Sequence, residues 1–188
     1  MRSSIVTFIF ILSGLALMAQ PMTKSILLGQ SNINWKGYKV TGSHEGNIKF
    51  KSGTLTFNGQ ALNGGELLVD MNSIDCTDMQ GGGKAKLEGH LKSDDFFGVA
   101  AHPTASIKFT KVVSRGTEGE FKVTANITIK SITKEIKFNA TAKDGMATAN
   151  IKLDRSDFDI KYGSGSFFDN LGDKTIYDEF DLAVTLKF

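Results

Sequence analysis

Residues 121–130, "FKVTANITIK", decide how this chain folds. Phe121, Val123, Ala125, Ile127 and Ile129 fall on one parity, and Lys122, Thr124, Asn126, Thr128 and Lys130 on the other. Side chains change face at every residue of a strand, so strict alternation over this length predicts a half-buried antiparallel strand. A helix, with about 3.6 residues per turn, would scatter the same apolar set around its surface.

The pattern spreads outward from there. In "ITKEIKFNA", residues 132–140, Ile132, Ile136, Phe138 and Ala140 occupy even positions. The parity has flipped, as a tight hairpin at Lys130 and Ser131 requires. Asp144 and Gly145 signal the next turn, and the chain closes on "FDLAVTLKF" with Phe180, Leu182, Val184, Leu186 and Phe188 on one face. Toward the N-terminus the same alternation holds Ile33 with Trp35, then Ile48 with Phe50, then Leu55 with Phe57. It continues through "GELLVDMNSI" at 65–74 and through Ala105, Ile107 and Phe109. Roughly eight to ten strands at hairpin spacing predict an all-β fold. Pro21 and Pro103 both stand outside strand interiors.

Long regular strands are poorly suited to remain as open edges, so a closed antiparallel barrel of about eight strands is expected. Such a barrel can enclose one small ligand. The inward parity then assigns Trp35, Ile48, Ile107, Phe109, Phe121 and Val123 to a ligand cavity. Ile127, Ile136, Phe138, Ile151 and Val184 join them. With 14 phenylalanines against one tryptophan, the inner wall is expected to be flat and apolar.

The N-terminus is a different kind of segment. Arg2 precedes an apolar run from Ile5 to Met18, which ends at Ala19 and Gln20. A short charged region, an apolar core and a small residue predict a secretory signal peptide over residues 1–20. The run is shorter than the roughly 20 residues of a spanning helix. The mature domain is expected over residues 25–188, exported to the periplasm or secreted. Losing Arg2 leaves 21 basic against 20 acidic side chains, a balance that gives no footprint for nucleic acid. Cys76 is the single cysteine, so no internal disulfide holds the fold, and it reads as a buried bystander.

The stretch "GGGKAKLEGHLKSDDFF", residues 81–97, breaks the alternation. Leu87 and Leu91 are four apart, which predicts a short helical excursion near residues 82–98, with Ser93 capping a second turn at Asp94 and Asp95. Phe96 and Phe97 are expected to bury against the barrel. His90 and Asp94 are expected to share a local hydrogen bond, with His102 exposed. No metal is expected on these three, whose spacing matches no zinc motif. His44 reads as a satisfied interior histidine.

Catalytic signals fail on their spacing. "GGGKA" has Asp78 where a phosphate loop needs its first glycine and Ala85 where it needs a hydroxyl. "GSGSF" lacks the spacing of a nucleophile elbow. Asp154 and Asp157 suit turn capping. No cofactor is implied, and a binding protein rather than an enzyme is expected.

Five blocks carry a resemblance: "INWKGYKVTGSHEGNIKFKSGTL" (33–55), "GGELLVDMNSIDCTDM" (64–79), "KLEGHLKSDDFFGVAAHPTASIKF" (86–109), "ITIKSITKEIKF" (127–138) and "LDRSDFDIKYGSG" (153–165). In this order they resemble the YceI-like, polyisoprenoid-binding family. The resemblance implies an extended lipocalin-like antiparallel β-barrel whose apolar cavity holds a long-chain isoprenoid or fatty lipid, such as a polyprenyl quinone. It implies transient membrane contact, leaves the oligomeric state open, and carries no catalytic residue set. Gly98 departs from the acidic residue expected there, and Ala100-Ala101 from a more varied spacer. Two alternatives stay open: an enzymatic or stress-related protein on the same fold, and a barrel filled by its own side chains.

Overall fold

The computed structural model describes residues 20–188, so the signal peptide expected at 1–20 lies, but for Gln20, outside the described residues. Nine strands and one α-helix follow in order among them: β1 (Met22–Ser25), β2 (Asn32–Lys39), β3 (Gly42–Asn58), β4 (Ala61–Cys76), α1 (Gly81–Lys92), β5 (Thr104–Ser114), β6 (Glu120–Ile129), β7 (Ile132–Lys143), β8 (Met146–Asp154) and β9 (Ile176–Lys187). Every ladder is antiparallel. From β2 the sheet runs through β9, β8, β7, β6, β5, β4 and β3 and returns to β2, closing an eight-stranded barrel. The ninth strand, β1, pairs with residues 54–57 of β3, beyond the 42–48 stretch that pairs with β2. It therefore prolongs the β2 side of the wall. Among the described residues no helix is long and apolar enough to cross a membrane.

The hairpin expected after Ile129 is a two-residue turn with Lys130 at φ 49° and Ser131 at φ 63°. Left-handed backbone at both positions matches the right-handed twist of the flanking strands, even without glycine. Across it Val123 faces Phe138 and Ala125 faces Ile136, so the flipped parity puts both strands' apolar residues inside.

One end of the barrel is solid. Val123 and Ala125 are completely buried, and Phe57 and Phe121 nearly so. The Phe57 and Phe188 rings stack at 5.1 Å, and Lys24 Nζ lies 5.1 Å from the Phe188 centroid. The lysine caps an aromatic plug with its charge still toward water.

The helix α1 is rich in glycine, a poor helix former, and its register is held by side chains instead. Lys84 Nζ reaches Asp75 at 2.7 Å and Glu88 at 3.6 Å, and Glu88 accepts the Cys76 N–H at 2.8 Å. Ser93 ends this helix rather than starting another: its hydroxyl donates to the His90 carbonyl at 2.7 Å. Its own carbonyl accepts the N–H groups of Phe96 and Gly98. Gly98 has φ +55°, a conformation glycine adopts without the penalty an acidic residue would carry.

Candidate ligand cavity

The other end of the barrel is hollow. A chamber of about 300 Å³ lies between the β2–β3 hairpin, α1, the turn after it and the β8–β9 loop. A second, of about 80 Å³, lies deeper and is lined from all eight strands of the barrel, β2 to β9. Ile33, Val69, Ala105, Ile127 and Leu182 line both, so these five side chains form a waist between the chambers.

Eight of the eleven residues assigned to the cavity from their parity stand on these walls. Trp35 and Ile48 face the wide chamber, and Ile127 the waist. Ile107, Phe109, Phe138, Ile151 and Val184 face the narrow chamber. Phe121, Val123 and Ile136 line neither. Phe121 and Val123 belong to the solid end, and Ile136 is half-buried against the core. Parity reports inside against outside but not depth. From Phe121 to Ile127 the chain climbs about 20 Å, at roughly 3.3 Å per residue, from packed core to waist.

Alternation did not reveal the lid residues. Leu87 and Leu91 of α1, with Phe96 and Phe97, complete the wide chamber. His90 corrects the expected bond to Asp94. The helix stops at Lys92, so Asp94 leaves the line on which residues four apart meet. The imidazole turns into the chamber instead, edge-on to Tyr162 at 4.4 Å and Phe96 at 5.6 Å. His102, expected exposed, is half-buried with Nδ1 3.2 Å from Ser131 Oγ.

Arg155, in the "LDRSDF" block, is the buried cation of this wall, only 2% exposed. Its guanidinium donates to the carbonyls of Tyr177 (3.2 Å), Ile160 (3.0 Å), Tyr162 (2.8 Å) and Ile176 (3.0 Å). It also pairs with Asp178 at 3.1 Å. Burial lowers its pKa against the opposing carboxylates of Asp178 and Asp154. Asp178 Oδ2 in turn accepts hydroxyls from Ser164 (2.9 Å) and Ser166 (2.6 Å). Arg155 thus bolts the β8–β9 loop to β9 and spends its charge doing so.

His44 borders the wide chamber, and its Nδ1 lies 2.9 Å from Asp78 Oδ2. Asp78 Oδ1 accepts the Cys76 thiol at 2.9 Å and the Glu45 N–H at 3.2 Å. Burial works to raise the Asp78 pKa, but the hydrogen bonds from Cys76, His44 and the Glu45 N–H outweigh it and hold it at about 2. Burial first, and then Asp78, push the thiol up to about 11. Cys76 is therefore a protonated donor, not a nucleophile. Among the described residues these three form the one cluster spaced to share a cation, with ligand atoms within 4.8 Å of one another. A cation there would have to displace the thiol proton that this pKa retains.

The indole of Trp35 packs against Gly46, its partner across the β2–β3 ladder. A methyl group on Gly46 would come within 2.7 Å of the ring and collide with the Asp75 carbonyl. Only glycine leaves room for this orientation.

The YceI-like domain model matches residues 26–188. The chain belongs to the YceI-like family. Among curated relatives, a UPF0312 protein of Vibrio parahaemolyticus is 30% identical over 114 residues, covering 55% of this chain and 57% of that protein. A UPF0312 protein of Azotobacter vinelandii is 38% identical over 52 residues, 28% of this chain and 27% of its own length. The chain thus spans little more than half of the first relative and about a quarter of the second. Among solved structures, BcnA of Burkholderia cenocepacia superposes with a TM-score of 0.69 at 19% identity, over 86% of this YceI-like chain and 98% of BcnA. A polyisoprenoid-binding domain from Saccharophagus degradans superposes at 0.58 with 14% identity, over 86% and 95%. At these identities the likeness shows a shared YceI-like barrel.

Proposed function

We propose that this YceI-like protein is an exported carrier that holds a long-chain amphiphile, an isoprenoid or fatty lipid, along the two chambers of its barrel. The observation that carries the reading is the pair of apolar chambers, one wide and one narrow, on either side of a shared waist. The wide chamber alone reaches the lower end of the roughly 300–1,000 Å³ typical of ligand pockets. Each tail methylene buried is worth about 0.8 kcal/mol, enough for an unbranched or isoprenoid chain to bind without charged contacts. The polyisoprenoid binding named for the Saccharophagus domain supports the same class of ligand. Binding rather than catalysis is supported by the protonated Cys76, whose hydrogen-bonded cluster supplies no nucleophile. Tyr177 stands exposed at the wide chamber, Phe167 and Phe168 stand exposed on the β8–β9 loop, and these rings suit brief contact with a membrane during loading.

Native mass spectrometry of protein gently purified from its own host tests this. A co-purified lipid of long chain length is the expected result. A bare mass, with no uptake of added long-chain lipid, would establish a barrel that acts through its surface.

A further inference from the structure

The barrel wall is not paired evenly around its circumference. β7 pairs with β6 from Ile132 to Thr141, and β8 pairs with β9 from Met146 to Asp154. Between β7 and β8 the ladder has only four rungs, from Lys143 with Met146 to Ala140 with Ala149. Beyond that last rung the two strands part, so residues 132–139 keep only β6 and residues 150–154 only β9. This seam points at the ligand space. Phe138, Ala140, Ala149 and Ile151, on either side of its apex, all line the narrow chamber. Nearer the hollow end, Lys134 lies opposite Ile127, a waist residue, so its side chain starts from the inner face. An ammonium enclosed there without a partner would be costly. Lys134 instead reaches Asp157 at 3.1 Å with its side chain 42% exposed, so the inner face of β7 meets water at this level.

The short helical turn that follows β8, Arg155–Phe158, packs against both β7 and β9. Phe158, buried in the core, seats it in the closed barrel. Its two flanks are held differently. Toward β9 the buried Arg155 donates to the Ile176 and Tyr177 carbonyls and pairs with Asp178. Toward β7 the polar links are exposed: Lys134 with Asp157, and Lys130 Nζ with the Asp159 carbonyl at 3.4 Å. Breaking a buried network of the first kind is costly, whereas an exposed ion pair holds little. The β8–β9 loop therefore lets go first along the seam. Entry by that side has a physical advantage. A long tail arriving end-on must thread the five side chains of the waist, while a tail entering along a slit lies down beside the narrow chamber.

Building on the carrier reading, we propose that the seam between β7 and β8 is a lateral gate for the lipid tail, hinged at Arg155 and latched by Lys134 with Asp157 and by Lys130 with the Asp159 carbonyl. With the latch open, the end of β8 and the turn after it move with β9 away from β7. The slit then runs from the hollow end down to the rung of Ala140 and Ala149, where the narrow chamber begins.

The test follows, by stopped flow, uptake of a long-chain fatty acid whose conjugated polyene brightens on burial, and of its short-chain analogue. Lys134→Cys with Asp157→Cys, joined by a short reductant-cleavable bismaleimide, locks the seam; Cys76 is fully buried and stays unreacted. Lys152→Cys with Glu179→Cys, joined in the same way, locks β8 to β9, where the ladder is already continuous. The expected result is that the first bridge slows long-chain uptake at least about tenfold while short-chain uptake stays within about twofold. Reductant should restore the long-chain rate, which also certifies that the bridged protein is folded. Lys134→Gln, which frees the latch, should speed the same uptake about two- to fivefold, the span of an exposed ion pair. Long-chain uptake unaffected by the first bridge, or slowed equally by the second, would overturn the gate and leave the carrier reading intact. Failure of the unaltered protein to bind either probe would overturn the carrier reading, and the gate with it.

Discussion

The two ends of this barrel are built from the same alternating strands and reach opposite outcomes. At the end marked by Phe57, Phe121, Val123 and Phe188, inward side chains meet across the axis and leave no space. At the other, Trp35, Ile48, Met71 and Phe180 stand back from one another around about 300 Å³. Strand pattern is common to both, so it is not what separates them. The hollow end is roofed by two excursions, α1 with its following turn and the β8–β9 loop, which cover the chamber without filling it. The solid end has only short connections and closes with its own rings. Rigidity at one end and accessible space at the other suit a container that must stay folded while its contents change.

Charging each end in turn gives the largest expected contrast. Val123→Lys buries an unpaired ammonium where nothing can accept it and is expected to prevent folding. Thr124→Lys, one residue on and facing outward, should leave the denaturant midpoint within about 0.5 kcal/mol of the original stability. Circular dichroism with urea titration reads both; equal tolerance would refute the assigned faces. At the hollow end the corresponding weak point is Arg155. Arg155→Ala strips four carbonyls and Asp178 of their partner and should cost about 3–5 kcal/mol in the same titration. It should also free the β8–β9 loop to early proteolysis.

Truncations sharpen the comparison at smaller magnitude. Phe121→Ala, in the solid end, opens a cavity in packed surroundings and should cost about 3–5 kcal/mol. Leu91→Ala borders space already present and should cost well under that, while changing lipid affinity more than Phe121→Ala does. A reversal of this order would mean that the chamber walls carry the stability.

The smallest expected effect is a pH dependence at the edge of the wide chamber. The folded pKa of Asp78 is about 2, below the roughly 3.9 of an unfolded aspartate. Its contribution to stability is therefore complete above about pH 4 and fades as the pH falls through about 2. Asp78→Asn should flatten that part of the stability profile and leave the neutral region's slope unchanged, as read by urea midpoints across pH.

Much of the fold was legible because each local signal pointed the same way. Ten residues from Phe121 announce a strand, the parity flip at Lys130 and Ser131 announces a hairpin, and the strand count with its need to hide edges announces a closed barrel. The structure supplies that closure through β2 with β9, Ile33 lying opposite Val184. The helical excursion was readable too, although Ser93 ends the helix instead of opening another turn.

Alternation along the chain settled which side chains point inward, since period two is a property of the strand itself. How deep each lies, and whether its neighbours across the axis reach it, is set by residues far away in sequence. That is why Phe121 and Val123 carry the same pattern as Ile127 yet fill the core. The same reason hid the place of His90: nothing near it in sequence says that Tyr162 will stand 4.4 Å away. Likewise the arginine in "LDRSDF" becomes a bolt only once β9 brings the carbonyls of Ile176 and Tyr177 and the carboxylate of Asp178 to it. Local sequence determined the elements and their faces; packing between distant elements decided where the barrel is hollow and where it is filled.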